Sequence, residues 1–82
     1  MTRSVFSENY KKLCHLLAQA RKSRNLTQTD VAGRLHRPQS FVSKYESGER
    51  RLDVIEFLEV TAALGVNAKS LLAEIEVMKP GR

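Results

Sequence analysis

Five stretches of the chain carry apolar residues at three- and four-residue spacing, each bounded by residues that start or stop helices. Ser7, with Glu8 behind it, opens the first stretch, which spans about residues 8–24. In it Tyr10, Leu13, Leu17 and Ala20 form the inward stripe, while Lys11, Lys12, Lys22 and Arg24 stay in solvent. Arg21 continues that stripe one turn further, an odd place for a charge unless a carboxylate meets it. Asn25 suits a turn, Leu26 tucks inward, and Thr27 caps a second helix with Asp30 in its first turn. Val31, Ala32 and Leu35 share one side of this helix, and Gly33 sits inside it at a cost of about 1 kcal/mol relative to alanine. The pattern stops at His36-Arg37-Pro38, because a proline excludes the helical region for the residue before it.

A third helix follows over about residues 39–46, with Val42 and Tyr45 inward and Gln39, Ser40, Phe41, Ser43 and Lys44 outward, and Ser47-Gly48 ends it. After a loop at 49–52, Asp53 caps a fourth helix that runs to Leu64 and is stopped by Gly65. Phe57, Val60, Thr61 and Leu64 form one apolar face of it; Ile55, Leu58 and Ala62 form a second, leaving Glu56, Glu59 and Ala63 for the remaining side. Asn67 caps a fifth helix over about 68–78, with Leu71, Leu72, Ile75 and Met78 at helical spacing. No stretch alternates with period two, so the expectation is an all-α fold, a compact five-helix bundle. Residues 1–6 are expected to form a short arm, 7–78 one domain, and 79–82, with Pro80-Gly81, a disordered end.

Charge sharpens this picture. The net charge is +5, but residues 1–51 hold 11 Lys/Arg against 4 Asp/Glu, whereas residues 52–82 hold 3 against 5. The basic part contains the second and third helices, and a basic face points to a polyanion partner. Cys14 is alone and reads as a packing residue of the first helix in a reducing compartment. With no apolar run near 18 residues and no signal-like hydrophobic start, a cytoplasmic protein without membrane contact is expected.

Enzyme chemistry finds no support. Cys14 and His15 are adjacent and diverge by about 100° on a helix, so they form no dyad. His15, His36 and a single cysteine lack zinc spacing, and the glycines at 33, 48, 65 and 81 make no phosphate-cradling loop. No metal or cofactor is expected.

Two helices of about two turns each are marginal without packing, so residues 27–48 are a pair that the rest of the chain holds. The outward amides, hydroxyls and ammonium of the second member are groups that read base edges in the major groove. The runs Leu26-Thr-Gln-Thr-Asp-Val-Ala, Gln39-Ser-Phe-Val-Ser-Lys-Tyr-Glu46-x-Gly48 and Ala63-Leu-Gly-Val66 resemble the Cro/XRE-type helix-turn-helix domain of phage repressors over about residues 10–73. His36 stands where that family often has glycine, and Pro38 where it often has serine or threonine. The resemblance implies a transcriptional regulator, most simply a repressor, that binds double-stranded DNA. It also supplies Glu46 as the partner of Arg21, and makes Gln28 a phosphate contact or, alternatively, a brace for Gln39.

Gln39 and Ser40 open the recognition helix; with Lys44 one turn on and Phe41 set against a thymine methyl, they are the expected base contacts. Packing of Phe41 against the turn is the competing assignment. Ser43, Arg50, Arg51 and Arg37 are expected on phosphates. One recognition helix reads few base pairs, so a twofold homodimer on a palindromic operator is expected, paired through Ile55, Leu58, Ala62 and Met78. The alternative from another class is an antitoxin-like interaction module that docks a partner protein on the same apolar stripe. RNA recognition is disfavoured because Phe41 is the only aromatic on the presumed binding face.

Overall fold

The computed structural model describes residues 8–77, and in them five helices follow one another: α1 (Glu8–Ser23), α2 (Gln28–Leu35), α3 (Gln39–Ser47), α4 (Val54–Leu64) and α5 (Ala68–Val77). The expected arm 1–6, the Ser7 cap, Met78 and the end 79–82 lie outside the described residues. The helix starts follow the capping chemistry. Thr27 Oγ1 accepts from Asp30 N at 3.0 Å while Asp30 Oδ2 accepts from Thr27 N at 2.8 Å, a reciprocal box that satisfies two otherwise free amides. Asp53 and Glu56 repeat the box on α4 at 2.7 and 3.0 Å, and Asn67 Oδ1 accepts from Ser70 N at 2.9 Å at the start of α5. Pro38 takes the cap position of α3 but has no side-chain oxygen to offer.

The helix ends depart from expectation by a residue at most: α1 stops at Ser23, and α3 runs through Ser47. Gly48 turns the chain with φ 86°. The turn between α2 and α3 is made by a non-glycine residue, His36 at φ 58°, a left-handed conformation that costs an L-residue roughly 1–2 kcal/mol. Two amide bonds hold it there: His36 N donates to Gly33 O at 3.2 Å and Arg37 N to Ala32 O at 3.0 Å. Among the described residues nothing lies within 4 Å of where a Gly33 side chain would begin, so no close backbone approach there explains that glycine.

α2 and α3 pack on each other, α1 and α4 back them, and α5 closes against α1 and α4. One core results, built from Leu17, Val31, Ala32, Val42, Tyr45, Phe57, Val60, Leu64 and Leu71 with Phe41 at its edge. Leu16 packs partly buried against this core. Arginines tie the C-terminal end of α4 down: Arg34 Nη1 donates to Ala63 O at 2.7 Å and Arg24 Nη2 to Gly65 O at 3.4 Å. The face Phe57, Val60, Thr61 and Leu64 of α4 is buried as its spacing predicts. Its second stripe is not covered by α1 or α5, since Ile55 is 63% and Leu58 48% exposed and Ala62 is exposed as well. Among the described residues no helix is long and apolar enough to cross a membrane.

Candidate nucleic-acid interface

α3 buries Val42 and Tyr45 completely and turns Gln39, Ser40 and Lys44 to solvent, with Ser43 half-buried beside them. What fixes this helix in place is an ion pair at its far end. Arg21 Nε and Nη2 donate to the two Glu46 oxygens at 2.7 and 3.0 Å, and Nη1 reaches Leu26 O at 2.9 Å. The side chains are 12% and 8% exposed, so a bidentate pair locks α1 to α3 largely out of water. The Glu46 hydrogen bonds hold the Arg21 guanidinium even more firmly protonated than usual. Beside it the Tyr45 hydroxyl is buried with no hydrogen-bond partner among the described residues, and desolvation raises its pKa.

The same carboxylate begins a relay to the outer surface. Glu46 Oε1 accepts from Gln28 Nε2 at 3.0 Å, and Gln28 Oε1 accepts from Gln39 Nε2 at 2.6 Å. A carboxylate can only accept, so it fixes which end of the Gln28 amide points inward and therefore which end of Gln39 faces Gln28. Gln39 keeps its carbonyl oxygen and a second N–H, the donor–acceptor pair that matches adenine in the major groove.

At the first turn of α3 a second charged cluster forms around Phe41. The guanidiniums of Arg37, at 4.4 Å from its centroid, and Arg50, at 4.8 Å, both stack on the ring. It also meets the Tyr45 ring edge-on at 5.5 Å. Arg50 is held by Glu56, with Nη1 to Oε1 at 3.0 Å and Nη2 to Oε2 at 2.9 Å, and Nη1 also donates to Arg51 O at 2.8 Å. Hydrogen bonding to Arg50, then to the Asp53 amide, pulls the Glu56 carboxyl down to about 2. Arg51 stacks over Tyr10 at 4.5 Å, and the Tyr10 hydroxyl donates to Arg50 O at 2.7 Å. Burial pushes that phenol up to about 12.

These features frame the comparison with known proteins. A family model described as helix-turn-helix matches residues 17–71. The chain belongs to the XRE-type helix-turn-helix family. With that membership goes its broad activity, transcriptional regulation by DNA binding. An XRE-family like protein from Pseudomonas syringae pv. tomato str. DC3000 is 49% identical over 88% of each chain, with a TM-score of 0.83. The fold is also that of the restriction-modification controller protein C.AhdI from Aeromonas hydrophila (23% identity, TM-score 0.73, covering 79% of this chain and 98% of that one). The clp gene regulator ClgR from C. glutamicum shares it too, at 18% identity and TM-score 0.78 over 93% of this chain and 99% of its own. No match was found among curated proteins.

Within this helix-turn-helix frame, one expected base contact moves. Phe41 is 7% exposed: it does not face outward but closes the core edge under two arginines, the packing alternative. Cation stacking keeps it there, an interaction that helical periodicity cannot encode. Gln28 is half-buried in the relay, and its bracing of Gln39 is the arrangement found. Arg50 is half-buried and tied to Glu56, whereas among the described residues Arg37 makes no side-chain hydrogen bond, its Nη2 standing 3.6 Å from Glu56 Oε2. Glu56 is the residue that sequence periodicity missed, having been left on a solvent side of the fourth helix. The signal was present as the Asp53-x-x-Glu56 capping pattern, which turns the glutamate back toward the preceding loop. Among the described residues no group of His, Cys, Asp and Glu is placed to hold a metal ion.

Proposed function

We propose that the chain reads a specific double-stranded DNA sequence, laying α3 in the major groove with Gln39, Ser40 and Lys44 on base edges, and represses transcription by occupying its operator. The observation that carries this is the polarised relay from Arg21 through Glu46 and Gln28 to Gln39, which presents an exposed amide in one fixed orientation on the basic side of the molecule. Arg37, Ser43, Arg51 and the loop around Arg50 supply backbone contacts beside it. Selection of bound fragments from a random duplex pool tests the reading. Gln39→Ala is expected to lose about 1–3 kcal/mol on the selected site and little on scrambled DNA at the same salt. Equal loss on both would remove Gln39 from base recognition.

Two copies are needed for a useful site, because one recognition helix spans only a few base pairs. The exposed stripe Ile55, Leu58 and Ala62 supports a twofold pairing that sets two α3 helices on a palindrome about one helical turn apart. Leu58→Glu is expected to give a folded monomer with weakened operator binding. A wild-type chain that sediments as a monomer while saturating the operator ends the dimer reading; an unchanged dimer in the variant moves the interface elsewhere. If the variant keeps its DNA affinity but loses a protein ligand, the interaction-module reading replaces it.

A further inference from the structure

Glu56 is surrounded by donors that lead to the DNA-facing surface. Its two oxygens take both terminal nitrogens of Arg50 and the Asp53 amide, and its side chain is 14% exposed. With one Nη1 hydrogen on Glu56 and the other on Arg51 O, Arg50 has spent most of its donors inside the molecule. Its guanidinium lies over Phe41, and so does that of Arg37. Arg37 is near enough to Glu56 to be attracted, at 3.6 Å, yet not hydrogen-bonded to it. A shallow, open groove of about 220 Å³ lies over this stack, lined by Arg37, Pro38, Ser40, Phe41, Lys44 and Arg50. Its polar rim is therefore two cations with unspent donors, Arg37 and Lys44, and the Ser40 hydroxyl.

We propose that Glu56 is a positioning residue of the interface: by pinning Arg50 against Phe41 it builds the platform on which Arg37 is held, and the groove between Arg37, Ser40 and Lys44 seats one DNA backbone phosphate. The proposal rests on the DNA-binding reading and divides the two arginines. Arg37 touches the phosphate, and Arg50 acts through Phe41. A glutamate beside a phosphate site ought otherwise to repel DNA, so the two roles have opposite signs. If Glu56 acts only through its charge, Glu56→Gln adds one net positive charge, tightens duplex binding and steepens its salt dependence. If Glu56 positions the platform, the same change loosens Arg50 and weakens binding despite the added charge.

Glutamine can still accept from the Asp53 amide, so the α4 cap survives the substitution. The probe is a random-sequence duplex titrated against the full chain at several salt concentrations. Binding by the wild type tests the DNA reading itself, independently of Glu56. Glu56→Gln is then expected to bind roughly fivefold more weakly, the net size of one hydrogen bond, with a log–log salt slope shallower by about 0.9. In an Arg37→Gln background the Glu56→Gln change should have no further effect. Equal or tighter binding by Glu56→Gln overturns the proposal. Arg50→Lys gives a second route should Glu56→Gln unfold: it keeps the charge but loses the fork and the flat stacking surface. Arg50→Lys with undiminished duplex affinity also overturns it.

Discussion

Two bidentate arginine–carboxylate pairs lie either side of the C-terminal end of α3 in the sequence, and water reaches them very differently. Arg21 and Glu46 are 12% and 8% exposed; Arg50 and Glu56 are 38% and 14% exposed. The distances are alike, with shortest contacts of 2.7 and 2.9 Å. Geometry therefore does not separate them; desolvation does. The inner pair holds two helices in register, and losing one partner strands a charge in the interior. The outer pair sits where water and salt weaken Coulomb attraction, so it adds little to stability and is free to shape a surface.

The sharpest break of this contrast is Arg21→Met, which leaves Glu46 buried and uncompensated and removes the donor to Leu26 O. A loss of about 3 kcal/mol is expected, seen as a fall in melting temperature of roughly 12–24 °C for a domain of this size. An unchanged melting temperature refutes the locking role of the pair. Arg50→Met makes the parallel test at the outer pair and is expected to cost at most about 1 kcal/mol, or roughly 4–8 °C. Equal losses from the two variants would mean that exposure does not rank them.

Acid gives a gentler probe of the outer pair. The Glu56 carboxyl titrates near 2 when folded against an ordinary 4.5, so the folded state favours the ionised form. Its stabilisation is complete above the ordinary value and is lost as pH falls through the folded one. Asp30, lowered by the Thr27 amide, adds in the same direction. Melting curves between pH 5 and 2 should consequently fall less steeply for Glu56→Gln than for the wild type, while the two run in parallel above pH 5.

The inner pair was legible before any coordinates, because an arginine on an apolar stripe demands a carboxylate and the family resemblance names Glu46. The helices were legible for a similar reason: Thr27, Asp53, Asn67, Gly48 and Gly65 act on amides and carbonyls within four residues of themselves. Phe41 and Glu56 were not, and their failure has one physical origin. Each is placed by guanidiniums that come from outside its own helix, Arg37 from the turn and Arg50 from the loop. A periodic pattern records which face of a helix is apolar, and it carries no record of a cation that arrives to cover an aromatic ring or to claim a carboxylate. The left-handed His36 lies between these cases. Its departure from the glycine common in the family marked the position, but the Gly33 and Ala32 carbonyls that hold it in that conformation become apparent only in three dimensions.

The relay through Gln28 bears on how such a protein changes allegiance from one operator to another. Glu46 cannot donate, so Gln28 must turn its N–H inward and its oxygen outward, and position 39 must meet that oxygen with a donor. A replacement at 39 that brings only an acceptor, or no polar group, strands the Gln28 oxygen as well as altering the proposed base contact. Under the proposed DNA reading, positions 28 and 39 therefore act as one unit, and a change of base preference calls for paired steps at both, whereas Ser40 and Lys44 can vary one at a time.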